Sequence, residues 1–114
     1  MYRSAGSARS EEKPLERKFC TWLKSIGGEP IKGPSYTNKG IPDRIAVLPN
    51  GGGTVWIEFK GNTYYQLTPI QQYWKELLLN SDPERYFVVD TKEDLQKVIE
   101  ACKSFIDRNK TNML

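Results

Sequence analysis

Residues 40–60 read Gly40-Ile41-Pro42-Asp43-Arg44-Ile45-Ala46-Val47-Leu48-Pro49-Asn50-Gly51-Gly52-Gly53-Thr54-Val55-Trp56-Ile57-Glu58-Phe59-Lys60. The run 44–48 is apolar and β-prone, and 54–60 alternates with a period of two. Between them, 49–53 is turn chemistry, because glycine takes positive φ without steric cost. The segment therefore predicts a β-hairpin. Side chains alternate across a strand, so Glu58 and Lys60 share one face while Val55, Ile57 and Phe59 share the other. Folding about the glycines returns the end of the second strand to the start of the first. Asp43 is thereby expected close to Glu58 and Lys60.

Two carboxylates and an ammonium at one sheet edge have a chemical meaning. Oxygen ligands suit a hard divalent cation, and a lysine beside them completes a metal-assisted phosphodiesterase site. Glu58 lies in an apolar strand, where an unpaired charge is costly to bury. Lys60 cannot neutralise both carboxylates, and Mg²⁺ or Mn²⁺ would satisfy the remainder. The competing reading is an ordinary cross-strand salt bridge on a solvated face, since a D…ExK pattern is short and recurs by chance.

Working outward, residues 1–14 carry Ser, Gly, Arg and Glu without an apolar period and read as a flexible tail. A single domain is expected over 15–114, a length that supports one core. Leu15, Phe19, Trp22, Leu23 and Ile26 fall on one helical face, which Gly27-Gly28 ends. Ile31 starts a short edge strand. The spacing of Ile70, Tyr73, Trp74, Leu77 and Leu78 predicts a second helix with one apolar stripe. Thr68-Pro69-Ile70-Gln71 opens it as a capping box. Tyr86-Phe87-Val88-Val89 reads as a buried central strand. Thr91 then caps a final helix with Leu95, Val98, Ile99, Cys102 and Ile106 inward. The passage from Glu58 to Tyr86 predicts a crossover that makes the last strand parallel to its neighbour. The fold class is α/β, a mixed sheet with helices over both faces.

Composition narrows the chemistry. There is no histidine, so Ser-His-Asp triads and histidine-based nuclease mechanisms are excluded. The two cysteines, Cys20 and Cys102, are too few for a zinc site and are expected as buried, reduced thiols. A net charge of +3 permits nucleic-acid binding without demanding it. No apolar run is long enough to span a membrane, and residues 1–13 lack the apolar region of a secretory signal. The expected compartment is the cytoplasm, with no membrane partner.

Three ordered segments carry a resemblance: Gly40-Ile41-Pro42-Asp43-Arg44, then Trp56-Ile57-Glu58-Phe59-Lys60, then Leu67-Thr68-Pro69-Ile70-Gln71. Together they resemble the VRR-NUC family, a branch of the PD-(D/E)XK nucleases, over roughly Glu16 to Val89. The resemblance implies a restriction-endonuclease-like αβββαβ core. It makes Asp43, Glu58 and the backbone carbonyl of Phe59 ligands to Mg²⁺ or Mn²⁺. Lys60 would orient or help deprotonate the attacking water. Gln71 would stand at the rim of the site, although its capping role alone explains its presence. Glu16 matches the family's N-terminal acidic residue and would hold a metal-bound water, but an acidic residue early in a helix also suits the helix dipole. Lys32 matches a position that is usually basic. With Lys39 and Arg44, it would contact the DNA backbone, unless Lys39 and Arg44 are only solvated charges.

The function so implied is a metal-dependent, structure-selective DNA endonuclease leaving 5′-phosphate and 3′-hydroxyl ends. The chain resembles the short, stand-alone members of phages and bacteria, which act as homodimers on branched DNA such as Holliday junctions. Tyr36 and Tyr64-Tyr65 would either form the dimer surface or stack on DNA. Two other classes compete: a catalytically silent nucleic-acid-binding module with a nuclease fold, and an adaptor whose charges are surface salt bridges.

Overall fold

The hairpin forms as the alternation requires. Strand β2 (Arg44–Leu48) pairs antiparallel with β3 (Gly53–Phe59), in a register that sets Arg44 opposite Ile57 and Leu48 opposite Gly53. Asn50 and Gly51 turn the chain with φ of 57° and 74°, the left-handed pair favoured in tight hairpins. The computed structural model describes residues 13–33, 40–60 and 67–113, with side chains as far as 108. The expectations for the tail before residue 13 and for Tyr36, Lys39, Tyr64 and Tyr65 lie outside the described residues.

Helix α1 (Pro14–Ser25) leads through Gly27-Gly28 into β1 (Glu29–Lys32), which pairs antiparallel with β2. After the hairpin come α2 (Pro69–Ser81), β4 (Tyr86–Val89) and α3 (Lys92–Met113). The strands lie in the order β1-β2-β3-β4, with β4 parallel to β3. The described residues thus make a mixed α/β fold of four strands and three helices. Among them, no helix is long and apolar enough to cross a membrane.

One face of the sheet holds the core. Ala46, Leu48, Val55, Ile57, Phe59 and Val89 meet Phe19 and Leu23 of α1 and Val98, Cys102, Phe105 and Ile106 of α3. Phe19 and Phe59 are fully buried, with ring centroids 6.0 Å apart. Burying each is worth about 1.5–3 kcal/mol. Thr91 caps α3 as expected, accepting the Asp94 N–H at 3.1 Å. Both cysteines are buried thiols outside any disulfide, and burial pushes the Cys102 thiol up to about 12. At the turn end of the hairpin, the Arg85 guanidinium stacks on Phe105 and donates to the Gly52 carbonyl at 2.8 Å, fixing the turn against α3.

Two expectations are corrected. Tyr86–Val89 is an edge strand, not a central one, because among the described residues no strand pairs with it beyond β3. Phe87 and Val88 are accordingly only half-buried. The apolar stripe of α2 also does not turn inward as a unit. Ile70, Tyr73 and Leu77 are 48%, 58% and 45% exposed, and no residue of α2 is fully buried. Only one face of the sheet is packed by two helices. The other has α2 near β4, held chiefly at its first turn.

Candidate active site

The site forms where β2 begins and β3 and β4 end. Asp43 immediately precedes β2, and its carbonyl accepts the Gly33 N–H at 2.9 Å. Its Oδ2 accepts the Phe59 N–H at 2.8 Å, so a carboxylate stands where a ladder carbonyl would otherwise be. Gly40 (φ 92°) brings the preceding turn onto the start of α2, where a Cβ would lie 2.9 Å from the Ile70 carbonyl oxygen. No side chain fits there, and the glycine of the 40–44 motif is explained by that approach.

Glu58 and Lys60 share a face, as the alternation predicts, but both are buried. Lys60 Nζ lies 2.9 Å from Glu58 Oε2. The same oxygen accepts Gln71 Nε2 at 3.1 Å. Gln71 Oε1 in turn accepts the Thr68 N–H at 2.9 Å and faces Lys60 Nζ at 3.4 Å. The capping role and the site contact of Gln71 are therefore made by one side chain at once. Through it, the first turn of α2 is tied to the two charged residues of β3.

The electrostatics are unbalanced despite the lysine. Burial and, next, the Asp43 charge push the Glu58 carboxyl above its ordinary value of 4.5, and Lys60 and Lys13 oppose this only in part. Tyr86 sits in the same field. Burial first, then Glu58 and Asp43, drive its phenol well above its ordinary range, so it stays neutral. At the end of β4, one step past the Val89 carbonyl that accepts the Lys60 N–H at 2.7 Å, Asp90 Oδ1 is buried with no hydrogen-bond partner among the described residues.

The other anticipated residues fall differently. Glu16 is buried and pairs with Arg44, Oε2 to Nε at 2.7 Å. Arg44 also donates to the Pro30 carbonyl at 3.0 Å. Its guanidinium is turned inward, on the core face opposite Asp43, because β-strand alternation puts consecutive residues on opposite sides. Lys32 is exposed on β1, opposite Arg44 in the register. Lys39 lies outside the described residues. Phe59 has its side chain in the core and its N–H on Asp43. Lys13 and Tyr86 are neighbours of the carboxylates that sequence reasoning did not single out. Lys13 Nζ is 3.5 Å from Asp43 Oδ2 across 30 residues of chain, and no local pattern signals that contact.

The donor set can be compared with what metals require. Among the described residues no group of three or more Asp, Glu, His or Cys side chains gathers as a cage. A pair of carboxylates is nevertheless what Mg²⁺ takes, since it keeps several waters and substrate oxygens in its shell. Asp43 and Glu58 fit that pattern, with the Phe59 carbonyl adjacent in the chain. No family model matches this chain, and no curated protein matches it either.

One prediction concerns stability. The folded state raises the Glu58 pKa, so its contribution is complete below 4.5 and is lost as pH rises through the raised value. A cation bound between the carboxylates would offset that loss. Melting curves with and without Mn²⁺ from pH 5 to 8 are expected to diverge, with metal stabilisation growing as pH rises. A metal shift that is flat or missing over that range would count against Asp43 and Glu58 as ligands.

Proposed function

We propose that this chain is a metal-dependent DNA endonuclease of the VRR-NUC type. The observation that carries the reading is the convergence of Asp43 and Glu58 at one sheet edge. Together with burial, it keeps Glu58 raised even with Lys60 at 2.9 Å. The order α1-β1-β2-β3-α2-β4 supports it, being that of the αβββαβ restriction-endonuclease-like core, here followed by α3.

Asp43, Glu58 and the Phe59 carbonyl would hold Mg²⁺ or Mn²⁺, which supplies positive charge to the phosphodiester and lowers the pKa of a water. Lys60 is buried beside Glu58, where it would direct its ammonium at the attacking water and the charge developing on the phosphate oxygens. Gln71 orients both Glu58 and Lys60. Glu16 acts through Arg44, holding the start of β2 and thereby Asp43. Lys32, exposed on β1, is a contact for the DNA backbone.

Branched DNA and a homodimer belong to the same proposal. Ile31, Ile70, Tyr73 and Leu77 are large apolar side chains left exposed, and they are surface that a second copy would cover. A pair of sites would then meet two strands, so that a junction is selected by its shape and not by its bases.

The test is cleavage of a labelled four-way junction and a matched linear duplex with Mg²⁺ or Mn²⁺. Wild type is expected to cut the junction only with metal. Lys60→Met keeps the buried stem and is expected to lose on the order of 10²–10⁴ in rate. Equal cutting of both substrates would keep the nuclease and remove the junction preference. Binding of both without cutting by wild type would favour the silent binding module.

A further inference from the structure

We infer that Lys13 is the exchangeable cation of this site. It neutralises Asp43 until a divalent metal ion takes that carboxylate, and it is then released to the phosphate backbone of the substrate. The inference rests on the nuclease reading and assigns a role to a residue that reading does not use.

The cations around the carboxylates differ in their freedom. Arg44 is held inward at 2.7 Å from Glu16. Lys60 is 8% exposed and sits 2.9 Å from Glu58. The Lys13 side chain is 40% exposed, and its contact to Asp43 Oδ2, at 3.5 Å, is the longest of the three ion pairs. Such a pair, screened by solvent, is readily exchanged.

Asp43 Oδ2 has two acceptor directions. One is taken at 2.8 Å by the Phe59 N–H, which belongs to a strand and cannot leave. The other faces Lys13. A metal ion on Asp43 therefore competes for the carboxylate with the exposed ammonium and not with the strand amide. The backbone of Lys13 remains in place when this happens. Its carbonyl accepts the Arg17 N–H at 2.9 Å, and Pro14 begins α1 directly after it. The released ammonium stays at the mouth of the site on a flexible four-carbon stem, where a phosphate held by the metal must arrive.

The experiment is calorimetric titration of Mn²⁺ into wild type, Lys13→Met, Lys13→Arg and Lys24→Met, paired with junction-cleavage kinetics over a range of salt. Lys24 carries the same charge in the last turn of α1 and serves as the control for net charge. Lys13→Met is expected to bind Mn²⁺ about two- to five-fold more tightly, as removal of an exposed competing charge implies. The same variant is expected to raise KM several-fold with kcat little changed, and to lower the salt slope of DNA binding by about 1. Lys13→Arg should restore KM, and Lys24→Met should follow wild type in metal affinity.

Three results would overturn the exchange. In the first, Lys13→Met binds Mn²⁺ no more tightly than wild type while wild type still binds it, which leaves the nuclease reading intact. In the second, Lys24→Met tightens metal binding equally, making net charge the cause. In the third, KM and the salt slope are unchanged in Lys13→Met. If wild type binds no Mn²⁺ at all, the nuclease reading falls and the exchange falls with it.

Discussion

Glu16→Ala is expected to cost about 3–5 kcal/mol of folding stability, a large fraction of what a domain of this size possesses. The reason is what the substitution leaves behind. Arg44 is 8% exposed, and its Nε points at Glu16 Oε2 from 2.7 Å. Without the carboxylate the guanidinium stays buried and loses its 2.7 Å ion pair, while its bond to the Pro30 carbonyl at 3.0 Å remains. Urea unfolding of the single variants and of Glu16→Ala/Arg44→Met checks this. The double variant should recover much of the loss, because the buried charge that lost its Glu16 carboxylate is gone. Glu16→Gln keeps an acceptor for Arg44 and should fall between wild type and Glu16→Ala. Where Glu16→Gln is folded, its cleavage rate should lie within about ten-fold of wild type, a loss of no more than about 1.4 kcal/mol in barrier. A rate loss of several orders with unchanged stability would instead place Glu16 at the reacting water.

Asp43→Asn is expected to do the reverse, abolishing activity while the fold is kept. Asparagine retains an oxygen for the Phe59 N–H, now accepted by Asp43 at 2.8 Å, so the start of β2 stays in place. It removes the charge that is the second cause of the raised Glu58 carboxyl. On that term alone, the metal-free variant should melt higher than wild type. Loss of the exposed Lys13 pair opposes this only weakly, as solvent screens it. On the proposed reading cleavage should fall on the order of 10³-fold or more, since a metal ligand at Asp43 would support several kcal/mol of transition-state charge. Added Mn²⁺ should no longer raise the melting temperature. If metal still stabilised the variant as it does wild type, Asp43 would not be a ligand.

How legible the site was depended on the range of each contact. Glu58 and Lys60 are two residues apart in one strand, so alternation alone put them on one face. Asp43 reaches Phe59 across 16 residues, but a hairpin with a glycine turn spans that distance predictably. Gln71 was legible as a cap from Thr68-Pro69-Ile70-Gln71. That the cap also holds Glu58 and Lys60 depends on how α2 is set on the sheet, which the motif does not contain. Arg44 was read from its place beside Asp43 as a candidate for the DNA backbone. Adjacency in a strand means opposite faces, and the structure turns it to Glu16.

By itself the sequence determined what short-range physics controls. That includes the hairpin, the capped helices, the parallel return of β4, two buried thiols and the proximity of Asp43 to Glu58 and Lys60, while the hairpin's register came from the structure. Only the tertiary structure decided the Glu16–Arg44 pair, the approach of Lys13 to Asp43, the edge position of β4 and the outward stripe of α2. These depend on how whole elements pack, across separations of 28 and 30 residues for the two ion pairs. Alternation and helical period say which side chains share a face. They do not say which other element that face will meet.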